Sequence, residues 1–352
     1  MVWYSTREAV MAAADVKLSA YMNGRVEEAL DSASRMVEGL TNRPTDYFVP
    51  TIATRYFDWP DRRRSLPWRL WLDRDEVISV SALVAGGVTI PGADYFLEPA
   101  NEGPPYNRVE VDLDSSSVFS SAGTHQRQIA VTGTFGYRDT STVTGALAEA
   151  LDSSETGVDV TDSSVIGVGS LIKVDSERMT VTGRTMADTA VDIHSSDSLT
   201  ASAADTSILC STATAIPQPG ETILIDSERM LVVDLASTTI TVRRAHDGTV
   251  LATHAANAGI FAPRTLTVVR ASAGTTAAAH DTAAVVTTTT YPGPIVQLTK
   301  AYALDQLQQE GSAYARTVGS GENERQASGR AIKELEKRVT DLYARRMRTA
   351  AV

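Results

Sequence analysis

The spacing of apolar residues divides the chain into stretches of different period. Residues 6–15 are helix formers, and beyond Asn23 and Gly24 the apolar positions Val26, Leu30, Ala33, Val37 and Leu40 recur at intervals of four and three. That rhythm places them on one face of a helix. Glu27 and Glu28 stand in its first turn, where the helix dipole favours acid, and Asn42 and Pro44 end it. From residue 53 the texture changes. Residues 53–57, 68–72, 77–81, 95–97, 109–113 and 128–137 are rich in aromatic and β-branched side chains, with Gly86-Gly87, Pro91-Gly92 and Gly103-Pro104-Pro105 between them. They predict short strands joined by turns.

Residues 143–292 differ again. Ser, Thr, Ala, Asp and Val predominate, and Phe261 and Tyr291 are the only aromatics. Two phrases repeat. The stretch from Gly169 to Val181, with Asp175-Ser176-Glu177-Arg178-Met179 at its centre, returns 51 residues later from Gly220 to Val232. The stretch from Ile240 to Thr249, continuing to His254, returns 26 residues later from Leu266 to Thr275, continuing to His280. Each unit sets a short apolar run beside a polar turn, which predicts a β-hairpin. Repeated hairpins bury their apolar faces mainly against one another, so the insert is expected to share few contacts with the rest of the chain.

The end of the chain turns helical once more. Ile295–Gln309 forms one helix, and Gly311 with Gly319-Ser320-Gly321 breaks the pattern. Ile332, Leu335, Val339, Leu342, Tyr343 and Met347 then trace an apolar stripe. Glu334 with Arg338 and Lys337 with Asp341 supply pairs four residues apart. A long stripe behind a flexible joint marks a partner-binding candidate made of Leu335, Val339, Leu342, Tyr343, Arg345, Arg346, Met347 and Arg348. Its unpaired arginines would suit an acidic groove on another chain. Packing onto its own core is the competing reading. The expected fold class is α+β: a small helix-and-sheet core over 1–142, an inserted all-β repeat domain over 143–292, and closing helices over 293–352.

Composition narrows the function classes. At 352 residues with 43% hydrophobic side chains, the chain suits two or three packed domains. The single cysteine, Cys210, excludes an internal disulfide framework and a cysteine-rich zinc site. The first residues lack a basic stretch followed by an apolar run, and no stretch reaches the ~18 apolar residues of a membrane span. The expectation is a protein made in a reducing cytoplasm. Net charge is −11, distributed as −5 over 1–142, −9 over 143–292 and +3 over 293–352. Such a chain is poorly equipped to grip nucleic acid, whose affinity rests on neutralised phosphates.

Candidate chemistry is sparse. The sequence holds no Walker-type loop, HExxH, GxSxG elbow or Rossmann fingerprint. Gly167-Val168-Gly169-Ser170 reads as a turn. His254 and His280 fall at equivalent places in a repeat, which argues for shared architecture over a catalytic centre; a zinc site would need further ligands. Asp175 with Glu177, and Asp226 with Glu228, sit where hairpin tips place Asp and Ser to satisfy their own amides. Arg178 and Arg229 stand ready to pair these acids. The basic run Arg62-Arg63-Arg64 reads as a solvated loop, with a DNA or partner contact as the alternative. Tyr56, Phe57, Trp59, Trp68 and Trp71 read first as core, then as an interface anchor.

The order of parts resembles the head-to-tail adaptor (connector) proteins of siphophages, especially those of actinobacterial phages. The likeness is carried by Ala33-Ser-Arg-Met-Val-Glu-Gly39, Arg55-Tyr-Phe-Asp-Trp-Pro60 and Trp68-Arg-Leu-Trp-Leu72. Ile78-Ser-Val-Ser81, Asp94-Tyr-Phe-Leu-Glu-Pro99 and Ile129-Ala-Val-Thr-Gly-Thr-Phe-Gly-Tyr137 continue it, before the closing helix that follows Pro292 and Pro294. It covers roughly 1–140 and 290–350, and the β insert departs from it. The resemblance implies a structural protein of the virion neck and not an enzyme, and no residue is assigned to catalysis, a cofactor or a metal. It implies a ring, usually dodecameric, docked beneath the portal protein and meeting a tail-side neck or stopper protein, with DNA passing through unbound. The alternative is a β-repeat module recognising carbohydrate or a host or capsid surface, which would call for exposed aromatic platforms in 143–292.

Overall fold

The computed structural model describes residues 2–14, 20–59, 66–311, 317–318, 325–326 and 330–345. Arg62-Arg63-Arg64, the Gly319-Ser320-Gly321 joint, Arg346, Met347 and Arg348 lie outside them. The fold is α+β, with strands outweighing helices. Helices α1 (Arg7–Ala14) and α2 (Ala20–Thr41) open the chain, and α3 (Gly293–Gly311) and α4 (Arg330–Tyr343) close it. Asn23 and Gly24 were expected to precede the second helix, yet α2 runs through both. A glycine there costs ~1 kcal/mol of helix propensity, which burial of Val26, Ala29, Leu30, Ala33 and Val37 on one face outweighs. That face packs against Ile295, Leu298 and Ala303 of α3, with Val339 of α4 in the same cluster. Helices far apart in sequence thus form one layer.

The loop after α2 supplies the layer's aromatic centre. Phe48 meets the rings of Tyr4, Tyr47, Tyr137 and Tyr343 at centroid distances of 5.1–6.0 Å. The adjoining N-terminal segment is held by Glu38. Its carboxylate accepts from the Tyr4 hydroxyl, from Arg35 Nη1 at 2.8 Å and from the Asp46 amide at 2.7 Å. Burial, with the charge of Glu38 beside it, pushes the Tyr4 hydroxyl well above its ordinary range.

Next come two small sheets. Strands β1 (Thr51–Phe57), β2 (Arg69–Trp71), β3 (Val77–Ala85), β4 (Val88–Ile90), β5 (Tyr95–Glu98), β6 (Arg108–Val111) and β7 (Ile129–Phe135) follow in order. One antiparallel sheet runs β1-β7-β3-β4 and the other β2-β6-β5. Leu70, Leu72, Val77, Leu83, Val109, Ile129, Val131 and Phe135 fill the core they share. Strict alternation in β7 buries Ile129, Val131 and Phe135 on one side and turns Ala130, Thr132 and Thr134 to the other. Each predicted strand is present within a few residues. β4 was not anticipated, being three residues beyond the Gly86-Gly87 turn.

The insert contains β8 (Ser141–Ala146), β9 (Gly157–Asp159), β10 (Leu171–Val174), β11 (Glu177–Asp192), β12 (Ser207–Leu209) and β13 (Thr222–Ile225). It continues through β14 (Glu228–Ala236), β15 (Thr239–Arg243), β16 (Gly259–Val269) and β17 (Val285–Thr289). These make two small closed barrels. In the first, β9, the C-terminal half of β16, the N-terminal half of β11, β10, β17 and β8 pair in turn, and a Leu147–Val160 bridge closes the ring. In the second, β12, β15, β14, β13, the N-terminal half of β16 and the C-terminal half of β11 pair in turn, closed by an Ile193–Cys210 bridge. Their cores correspond position by position: Leu147 to Ile193, Ile172 to Ile223, Met179 to Met230, Leu266 to Ile240 and Val286 to Ile260. The second barrel is therefore inserted inside the first, and the long strands β11 and β16 run through both.

At the junction, Glu221 of the second barrel is fully buried. It accepts from the amide and hydroxyl of Ser163 in the first barrel, and from Arg264 Nε and Nη2 at 2.9 and 2.8 Å.

The first barrel is not detached from the helical layer, contrary to expectation. The Arg7 amide donates to the Val168 carbonyl at 3.1 Å, and the Val168 amide donates to Glu8 Oε2 at 2.8 Å. Gly169, at φ 95°, lies so close to Trp3 that a Cβ would sit 2.3 Å from the indole, and Leu171 belongs to the helical core. Gly274, also at positive φ, presses on the backbone of Ile52 in β1. Backbone groups around Val168 thus cap the start of α1, while the Gly274 turn packs on the β1 backbone.

Candidate functional site

The titratable side chains that the repeats bring together form two equivalent clasps. At the tip of the β10–β11 hairpin, Asp175 adopts φ 50° and Glu177 turns inward to full burial. Glu177 accepts from Arg270 Nε at 2.8 Å and Nη2 at 2.7 Å, and from the amides of Ala271 and Ala278 at 3.0 Å each. His280 places Nε2 3.0 Å from Glu177 and Nδ1 2.7 Å from Asp175. In the second barrel Glu228 repeats the pattern with Arg244, Ala245, Ala252 and His254, and Asp226 stands for Asp175. Arg270 also donates to the carbonyls of Asp152, Glu155 and Ala278, as Arg244 does to Thr200, Asp205 and Ala252.

Each clasp ties the hairpin tip to the loop that follows the strand paired with the hairpin's second strand, β16 in the first barrel and β15 in the second, and each buried carboxylate is saturated. An ionised carboxylate has about four lone-pair sites, and five donors point at each of these. Both ring nitrogens of each histidine are engaged as well. The two glutamates and the two imidazoles are thus fully engaged, whereas Asp175 and Asp226 keep exposed carboxylates. The arginines that pair the buried acids are Arg270 and Arg244, not Arg178 and Arg229 as the sequence suggested. Arg178 reaches Asp139 at 2.7 Å and Arg229 approaches Asp247 at 3.7 Å. Among the described residues, no group of three His, Cys, Asp or Glu could hold a metal ion.

Burial alone would raise the Glu177 carboxyl, but the hydrogen bonds from Arg270, His280 and the two amides outweigh it and hold the group at about 2. Glu228 is held at about 2 for the same reasons, with Arg244 and His254 in those places. A glutamate in the unfolded chain titrates near ~4.3. A depressed folded value stabilises the fold above the unfolded value, and that stabilisation drains away as pH falls from ~4.3 towards 2. The urea midpoint of the barrels, followed by far-ultraviolet circular dichroism, should therefore drop steadily over this window. A midpoint unchanged between pH 5 and 3 would refute the assignment.

The partner-binding candidate in α4 is largely turned inward. Val339 is fully buried, Ile332, Leu335 and Tyr343 pack against the same helical core, and of the described stripe residues only Leu342 is strongly exposed, at 62%. Arg345 is not unpaired: its amide donates to the Thr41 carbonyl at 3.0 Å and its guanidinium lies 3.6 Å from Asp73. Arg43 Nε donates to the Tyr343 carbonyl at 3.1 Å. Of the aromatic cluster, Trp59 is core and Phe57 lies against it. Trp68 and Trp71 flank Arg69 on the β2 surface, and Tyr56 faces outward. The residues that organise the clasps, Arg244 and Arg270, stand at matching places in the repeat as an Arg-Ala step. Phe48 carried no such signal.

No protein-family model matches this chain, and comparison with curated proteins and with solved structures gives no match.

Proposed function

We propose that the chain is a structural component of a virion neck: a head-to-tail adaptor of the siphophage type, assembling as a ring between the portal protein and a tail-side neck protein around the DNA path. The observation that carries the reading is the return of α3 and α4, after the long β excursion, to complete the layer begun by α2. That arrangement gives the helices-sheet-helices order of the resemblance a physical basis, with the barrels inserted between the sheet and the closing helices. The two clasps spend their titratable groups on holding hairpins in place, which suits a part whose work is mechanical. The reading is tested by mixing the purified chain with the portal protein of its phage and recording native mass spectra and electron micrographs. A closed ring of copies on the portal is the expected product. A stable closed dimer indifferent to portal would overturn it.

A further inference from the structure

We propose that the outer face of the β1-β7-β3-β4 sheet docks a second copy of this chain. Ile52, Thr54 and Tyr56 of β1 stand opposite Thr134, Thr132 and Ala130 of β7 and point away from the core. Ser79, Ala82 and Val84 of β3 continue the three rows. Ile52 is 40% and Tyr56 62% exposed. No acidic or basic side chain lies in these rows, although 21% of the chain is charged. The Thr54 and Thr132 hydroxyls spend their bond on each other at 2.8 Å. The rows are half apolar and free of charge, and β1 is the edge of its sheet, with Gly274 set against the Ile52 backbone.

Charge selects the occupant. A basic protein would seek acid and a nucleic acid would seek base, and the face offers neither. Two copies each carrying −11 repel wherever their charged surfaces meet, so a contact between copies is best made through surface free of charge. Area sets its strength. With strands ~4.8 Å apart and ~3.4 Å per residue, the face measures roughly 400 Å², about half of the ~800 Å² that each partner buries in a standard stable complex. Free copies should associate weakly and close up only when held side by side. The inference rests on the adaptor reading for the number of copies, since a ring needs this face to meet a different surface of its neighbour.

The test is sedimentation velocity on the full chain over a wide concentration range. Wild type should show concentration-dependent association. Thr132→Lys, on the half-exposed side of a central strand, should keep the circular dichroism spectrum and lower the association constant at least tenfold. Thr267→Lys, exposed on the first barrel, should leave association unchanged. Equal association in wild type and Thr132→Lys, or none in wild type at the highest concentration, overturns the proposal. A maleimide photocrosslinker on Thr132→Cys, with Cys210 buried, then maps what the face touches. Capture of a different surface of another copy supports both proposals. Capture of the same face means a two-fold dimer, which leaves the docking face standing and removes the ring. Failure to capture another copy removes the face alone.

Discussion

Glu228→Ala should unfold the second barrel and leave the first intact, while Glu177→Ala should do the reverse. Each change strands a guanidinium and an imidazole in the interior: the Arg244 and Arg270 side chains are only 1% and 8% exposed, and those of His254 and His280 no more than 1%. Breaking a buried ion pair from one side typically costs ~3–5 kcal/mol, enough to exhaust the stability of a small barrel. Hydrogen exchange read by mass spectrometry localises the damage. In Glu228→Ala, protection should vanish between residues 192 and 260 and persist over 141–181. In Glu177→Ala, the loss should fall on the first barrel and reach the N-terminal segment through Val168 and Gly169, changing the near-ultraviolet signal of Trp3. Simultaneous melting of both barrels in either variant would show that they are one cooperative unit.

Phe48→Ala is expected to destabilise the helical layer by about 3–5 kcal/mol, the usual cost of emptying a buried phenylalanine site. This ring joins pieces that the chain brings from four places: Tyr4 at the start, Tyr47 beside it, Tyr137 after β7, and Tyr343 at the end of α4. Edge-on ring pairs add ~0.5–1.5 kcal/mol beyond their buried area, so Phe48→Leu should recover part of the loss and not all of it. Chemical denaturation followed by tryptophan fluorescence measures the change, and exchange in α4 should rise first. A loss below about 1 kcal/mol would mean that the surrounding tyrosines close over the gap.

Much of this architecture is legible in the sequence wherever periodicity reports burial. The stripe of α2 and the alternation of β7 both predict the buried face correctly, because each element packs on one side only. Nesting of the barrels was legible too, in the order of the repeats. The two middle copies, at Gly220 and Ile240, lie close together, while their counterparts at Gly169 and Leu266 lie far apart. A unit interrupted by its own duplicate leaves that trace. The inward turn of α4 was not legible. An amphipathic stripe has the same pattern whether it buries against its own chain or another, and the deciding contacts, the Arg345 amide on the Thr41 carbonyl and the Arg43 guanidinium on the Tyr343 carbonyl, fall outside the stripe. Phe48 was hidden for a related reason. It lies in a loop, where no period marks a residue as central.

Insertion of one barrel inside the other also imposes an order on folding. The clasp of the inner barrel closes over 26 residues, between Glu228 and His254, whereas that of the outer closes over 103, between Glu177 and His280. From loop length alone the longer closure costs about 1 kcal/mol more. Once the inner barrel has formed, its ends hold β11 and β16 side by side, and most of the long loop no longer has to be searched. The inner unit therefore has the shorter closure to make, and once folded it presents the two strands to the outer barrel already paired.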